Sequence, residues 1–264
     1  MRRRFVFGNK SLHQLVFIAL LTLIMGKSSI ADTSKPLTVV TFQQAPFAVE
    51  GDIKDSGLIV EVLDELFRRA GIEYHMVFYP LKRGMAMSEN LDNHCVLPIE
   101  RSQDRETNYR WVGPVLISRY GLFSSDSTSK PLITLDDASK YSIGSFLGSG
   151  VGEYLEGMGY NVEFTSNASL NLKKVQRNRI DLWASELVSA NWIMQQNKVD
   201  LGEPELVFFT SLRAMACNKN LDNSRYNAMQ SSLEDMYKDG FMHRVATKYG
   251  ARLLTAQYGV GASF

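Results

Sequence analysis

Cysteine is nearly absent from this chain of 264 residues, which has only Cys95 and Cys217. Two cysteines exclude a disulfide-dense scaffold and a four-cysteine zinc site, and leave room for one bridge at most. Histidine is scarce as well. His13, His75, His94 and His243 are scattered and form no HExxH or HxH pair, so a histidine-rich metal site is not expected. No charge of one sign dominates: 29 Lys+Arg stand against 28 Asp+Glu, a formal +1. A general nucleic-acid binder would carry a basic surplus. Long apolar runs are also missing. The most apolar stretch, Leu15 to Met25 (LVFIALLTLIM), falls short of the roughly 20 residues that span a bilayer. What remains is an ordinary globular balance, 45% hydrophobic and 22% charged, which argues against disorder, collagen and coiled coil. The length fits one or two compact domains.

The apolar stretch has a specific context. Arg2, Arg3, Arg4 and Lys10 precede it, and Ser29 and Ala31 place small residues where a signal peptidase reads. Residues 1–31 therefore read as a secretory signal peptide cleaved after Ala31. No cysteine follows the cut, so no lipid anchor is expected. The leader carries five basic residues and no acid. Its removal leaves 24 Lys+Arg against 28 Asp+Glu, a net charge of −4. The product is expected to be soluble and periplasmic, in an oxidising compartment that bears on the two cysteines.

The mature chain alternates strand and helix signals. Leu37 to Phe42 reads as a buried strand that ends at the turn-like Gln44-Ala45-Pro46. Leu58, Ile59, Val62, Leu63, Leu66 and Phe67 recur at helical spacing, and Gly71 stops the helix. Tyr74 to Tyr79 is a strand, Leu81 to Ser88 a short helix, and His94 to Leu97 a strand. A second cycle opens with the strand Tyr141 to Phe146, the tight loop Gly148-Ser149-Gly150 and the helix Val151 to Met158. Strand Val162 to Thr165, helix Leu170 to Arg177, strand Ile180 to Ala184 and helix Leu187 to Gln196 follow. Leu206 to Cys217 returns as extended chain, and helices Ser224 to Tyr237 and Phe241 to Tyr249 close the periodic part. The tail from Ala251 has weak periodicity. Ser118 to Pro131, rich in Ser and Asp, reads as a crossover plus a loop. This alternation predicts an α/β fold with largely parallel sheets and helices on both faces.

The order of motifs resembles the periplasmic solute-binding proteins of family 3, the amino-acid-type receptors of ABC importers. The matching residues are Thr41-Phe42-Gln43-Gln44-Ala45-Pro46-Phe47 followed by Gly57-Leu58-Ile59-Val60-Glu61. Next come Ser102-Gln103-Asp104-Arg105 with Tyr109, Trp111 and Pro114, and Gly148-Ser149-Gly150 with Tyr154-Leu155. Arg179-Ile180-Asp181, Asp239-Gly240 and Lys248-Tyr249-Gly250 complete the series. The resemblance implies a type II-like two-lobed receptor with a two-strand hinge and a ligand in the interlobe cleft. Lobe 1 would be 32–118 plus 212–264, and lobe 2 would be 119–211. Hinge closure lets each lobe supply half of the contacts.

The resemblance also implies roles for residues. Arg105 would clamp a ligand carboxylate, since a guanidinium offers a planar fork of donors. The plain alternative is a surface arginine in a charged loop. Ser102 could add a hydroxyl contact or simply cap a turn. Ser149 and Gly150 open a helix, whose free N–H groups suit an anion; many ordinary helices begin in the same way. Glu186 stands where the family has an aspartate for the ligand's amino group, and could equally be an acid favoured at a helix start. Before Arg105 the family has small hydroxyl residues, whereas this chain has Leu97, Pro98, Ile99, Glu100 and Arg101, with Glu100, Arg101 and Arg83 as a different polar lining. Gln44 stands where an aromatic often stacks on the ligand. Among Phe42, Phe47, Tyr79, Trp111 and Trp183, mostly core candidates, Phe42 and Trp183 are the two that could reach the cleft. The cysteines would lie on neighbouring strands of lobe 1, as a bridge or as two buried thiols.

The reading that results is a non-catalytic, monomeric binding protein for a small carboxylated polar metabolite, serving an ABC permease or a sensor. It needs no cofactor, no metal and no nucleic acid. One alternative is a dehydratase-like enzyme on the same fold, with Glu186 or Glu100 as general acid or base. Another is a ligand-free interaction module, since fold does not fix function.

Overall fold

The computed structural model describes residues 35–125 and 132–251. Residues 1–34, which include the expected signal peptide, residues 126–131 of the expected crossover loop, and the tail after Ala251 lie outside the described residues.

The first strand, β1 (Leu37–Thr41), is followed by helix α1 (Leu58–Ala70), strand β2 (Tyr74–Phe78), helix α2 (Leu81–Asn90) and strand β3 (His94–Glu100). The amphipathic spacing of α1 is realised: Leu58, Ile59, Val62, Leu63, Leu66 and Phe67 are all buried. Gly71 ends it in the left-handed conformation (φ 64°), where its N–H donates to the Phe67 carbonyl. A 3₁₀ turn (Gln103–Arg105) leads into the 15-residue strand β4 (Tyr109–Phe123). The second cycle is β5 (Ile143–Phe146), α3 (Gly150–Gly157), β6 (Val162–Thr165), α4 (Ala168–Gln176), β7 (Leu182–Glu186) and α5 (Leu187–Gln196). Strand β8 (Leu206–Asn218) then returns, and α6 (Asn223–Lys238) and α7 (Phe241–Lys248) follow.

Strands β2, β1 and β3 pair in parallel, as do β7, β5 and β6. Between these two parallel sets run β8 and β4, antiparallel to each other and to their neighbours. The order is β2-β1-β3-β8-β4-β7-β5-β6. The two long strands are the predicted hinge, and each parallel set carries its own helices and its own core, the two-lobed α/β architecture expected. Leu37, Leu63, Leu66, Phe67, Met215 and Met229 pack together in the first lobe. Ile143, Val151, Leu155 and Leu182 do so in the second.

The expected crossover at 118–131 begins as strand: β4 runs through Ser118 to Phe123. Its earlier half carries no clean strand signal because Gly113-Pro114 interrupts it. The ladder to β8 shifts register between Val112 and Leu116, so the proline sits at an irregularity where no ladder N–H is needed.

Cys95 on β3 and Cys217 on β8 are directly opposed in the register and joined by a disulfide. Both are fully buried in the first lobe's core. Of the two arrangements open to the sequence, the bridge is the one formed.

Candidate functional site

The strands deliver their ends to the space between the lobes. On the first lobe, β1 ends beside Phe42 and Gln44, and β3 ends at Glu100, just before the turn that carries Arg105. On the second, β5 ends just before Ser149 and Gly150, and β7 ends at Glu186. The hinge strands add Tyr120 and Arg213. This is the edge where open α/β sheets bind ligands.

A buried polar cluster occupies the centre. Arg213 has no solvent exposure. Its Nη2 donates to Gln44 Oε1 (2.9 Å) and to the Pro98 carbonyl (2.6 Å). Its Nε lies 4.0 Å from Glu100 Oε1. Glu100, 2% exposed, accepts on that same oxygen from the Tyr120 hydroxyl. Burial, and then the Glu100 charge, push the Tyr120 phenol well above its ordinary value of 10, so it stays protonated and donates. Three atoms of the cluster, Glu100 Oε2 and Arg213 Nε and Nη1, have no hydrogen-bond partner among the described residues. Unpartnered buried charged atoms are costly, so their presence at a cleft marks a place for a ligand or ordered water.

Arg105 is buried too, 6% exposed, and is not the surface arginine of the plain alternative. Its Nη2 donates to the Gly148 carbonyl (3.2 Å) and to the Glu153 carboxylate, and its Nη1 to the Glu100 carbonyl (3.4 Å). Glu100 Oε2 lies 3.7 Å from Nη1. Glu153, on α3, also pairs with Lys82 on α2. Burial acts to raise the Glu153 carboxyl, but Lys82 and Arg105 outweigh it and hold it below its ordinary value.

Glu186 caps α5, its Oε2 accepting from the Ser189 N–H (2.8 Å), and is 4% exposed. Burial pushes its carboxyl up to about 7, against the opposing pull of the Ser189 and Val188 N–H groups and of Arg213. Ser149 is an N-cap: it accepts from the Gly152 N–H (3.2 Å) and shares a hydrogen bond with Ser145 Oγ (2.8 Å). Gly150 faces Glu100 so closely that a Cβ there would lie 2.9 Å from Glu100 Cβ and 3.1 Å from its Cδ.

Two open clefts flank this centre. One, of about 370 Å³, is lined by Phe42, Gln44, Tyr79, Lys82, Phe146 and Asn167 among others. The other, of about 920 Å³, is lined by Ser102, Arg105, Glu153, Tyr154, Phe209 and Leu212 among others. Phe42 therefore reaches a cleft, 6.2 Å from Phe146 of the other lobe. Trp183 does not: it is 1% exposed and packs on Phe123 in the second lobe's core. Arg101 pairs with Glu106 at the surface, and Arg83 lies over the Tyr79 ring. Arg213, Tyr120, Lys82 and Glu153 carry no motif. Arg213 alone had a local signal, as an arginine inside the apolar strand Leu212 to Cys217, where an unpaired charge would be costly.

No family model matches the chain, and no curated protein does either. Solved structures do. A histidine kinase sensor domain similar to periplasmic binding proteins superposes with a TM-score of 0.75 at 16% identity, covering 83% of this chain and 97% of its own. The arginine-, lysine-, histidine-binding protein ArtJ from Geobacillus stearothermophilus gives 0.70 at 17% identity, over 83% and 97%. An ancestral amino acid-binding protein, a precursor of cyclohexadienyl dehydratase, gives 0.69 at 15%, over 81% and 95%. At such identities the likeness is one of fold: the chain has the two-lobed fold of periplasmic amino-acid-binding proteins.

Proposed function

We propose that this chain is an exported, periplasmic solute-binding protein that captures a small, polar, carboxylated metabolite between its lobes and presents it to an ABC permease or a sensor. The observation that carries this reading is the set of buried charged atoms at the hinge with no hydrogen bond among the described residues, Arg213 Nε and Nη1 and Glu100 Oε2. Buried donors on one side and a buried acceptor on the other suit a ligand with both an anionic and a cationic end, as in an amino acid. The lobe division that goes with this reading, 32–118 plus 212–264 against 119–211, has its boundary on the hinge strands where Ser118 pairs with Ser211. Arg105 and Arg213 serve the ligand's carboxylate, with Ser102, Ser149 and Gly150 beside that end. Glu100 and Glu186 serve its amino group, and Gln44 and Phe42 line the remaining wall. Closure then follows from the ligand's preference for the state in which both lobes touch it.

One observation favours a second reading, an enzyme on this fold. A buried carboxyl at about 7 is poised for general acid or base work at neutral pH.

A thermal-shift screen of amino acids, amines and small carboxylates separates the two. A ligand present at 100 times its Kd adds about 2.7 kcal/mol of stability. A stabilising compound recovered unchanged supports the binding protein, and a compound converted on incubation supports the enzyme. No shift from any compound would overturn both.

A further inference from the structure

The cation expected to receive a ligand's carboxylate is already matched by a carboxylate of the chain itself. Arg105 lies on the turn after β3 in the first lobe, and Glu153 on α3 in the second. The same Glu153 takes the Lys82 ammonium from α2, again across the cleft. The Gly148 carbonyl adds a third interlobe contact, the second on Arg105 (3.2 Å). Two first-lobe cations thus converge on one second-lobe carboxylate, and Arg105 at 7% side-chain exposure is screened little by water.

We infer that Glu153 is the resident occupant of the Arg105 anion site: a tethered carboxylate that holds the lobes closed without ligand and that an incoming carboxylate must displace. Displacement, and not addition, follows from charge. A ligand carboxylate reaching Arg105 with Glu153 in place would lie beside two like charges, Glu153 and Glu100 (3.7 Å from Arg105 Nη1). Tethering sets the threshold. A group on the same chain competes at an effective concentration on the order of millimolar. A bare monocarboxylate has no other contact with which to win that competition. A ligand that also engages Arg213 and Glu100 does. The closing role of Glu153 stands by itself, whereas the competition with ligand rests on the solute-binding reading.

The test needs no ligand. Small-angle X-ray scattering is measured on the purified protein and on Glu153→Gln and Lys82→Met, with circular dichroism confirming that each is folded. A closed domain of this size has a radius of gyration of about 17 Å. The wild type is expected at that value, Glu153→Gln clearly above it, and Lys82→Met in between, since it keeps the Arg105 pair. Should Glu153→Gln misfold, Lys82→Met, which changes a half-exposed side chain, must still expand the molecule. Scattering of the folded variants that matches a compact wild type would overturn the proposal, as would a wild type already expanded. A ligand screen without hits beside a positive scattering result would sink the solute-binding reading and leave the latch standing. Unchanged scattering beside a ligand hit would do the reverse.

Discussion

Arg213 and Glu100 face each other across the β8–β3 ladder, where Glu100 and Arg213 are register partners. Their side chains approach to 4.0 Å in a site with almost no solvent. Two opposite charges in the middle of an otherwise apolar sheet are tolerated because each has further partners: Gln44 and the Pro98 carbonyl for the arginine, Tyr120 and Arg105 for the glutamate.

Breaking that pair from one side should be expensive. Arg213→Met leaves Glu100 short of a counter-charge, and loss of one member of a buried pair costs about 3–5 kcal/mol. The double variant Arg213→Met/Glu100→Gln should cost less than the sum of the two single changes, because no lone charge remains. Urea unfolding of the four proteins measures this, and strict additivity would show that the two groups do not interact.

The disulfide closes a long loop, since its cysteines are 122 residues apart. Replacing both by alanine should remove roughly 2–5 kcal/mol of stability. Exported protein should show no titratable thiol after denaturation without reductant; two thiols per chain would contradict the bridge.

Glu186 makes stability fall as pH rises. Its carboxyl is at about 7 in the folded state against an ordinary 4.5. Between those values the unfolded chain binds fewer protons than the native one, so the contribution, complete below about pH 4.5, is lost by the time pH passes about 7. Glu186→Gln has no such dependence. Its advantage over wild type should grow across that window and level off above it at about 3 kcal/mol. Equal stability of the two proteins at pH 5 and pH 8 would refute the raised value.

Gly150 tests closure from the opposite direction to the latch. Alanine suits a helix start, so folding should survive. Yet its Cβ would lie 2.9 Å from Glu100 Cβ in the other lobe. Gly150→Ala should therefore prop the lobes apart, with an expanded scattering profile and a melting temperature within a few degrees of wild type. A compact profile would mean that Glu100 gives way.

For whichever compound the thermal-shift screen identifies, Arg105→Ala should weaken binding by about 2–5 kcal/mol, the usual consequence of truncating one side of a desolvated charge pair. Arg105→Lys should recover only part, as an ammonium lacks the two-pronged geometry. Arg101→Ala, whose guanidinium is spent on Glu106 at the surface, is the control and should bind normally. Calorimetry decides; unaltered affinity in Arg105→Ala would remove Arg105 from the site.

Local pattern was enough for much of the fold. The 3.6-residue apolar spacing of α1, the punctuating glycines and the alternation of strand and helix depend on neighbours within a turn or two, so Leu187–Gln196 and Val162–Thr165 form over the residues their sequences predict. Gln44, Glu100, Arg105 and Glu186 could be named because the resemblance to family 3 binding proteins, with its departures, marks their positions. The sequence could not say what they would touch. Gln44 and Arg213 meet from 169 positions apart, and Arg105 and Glu153 from 48. Hydrogen-bond and charge partners at that separation are chosen by the order of strands in the sheet and the position of the lobes, not by propensity or spacing. The same is true of Trp183, which local pattern allowed in core or cleft and the packing of the second lobe buried against Phe123. It is true also of Cys95 and Cys217, whose pairing required β8 to return beside β3 and bring two isolated thiols into register.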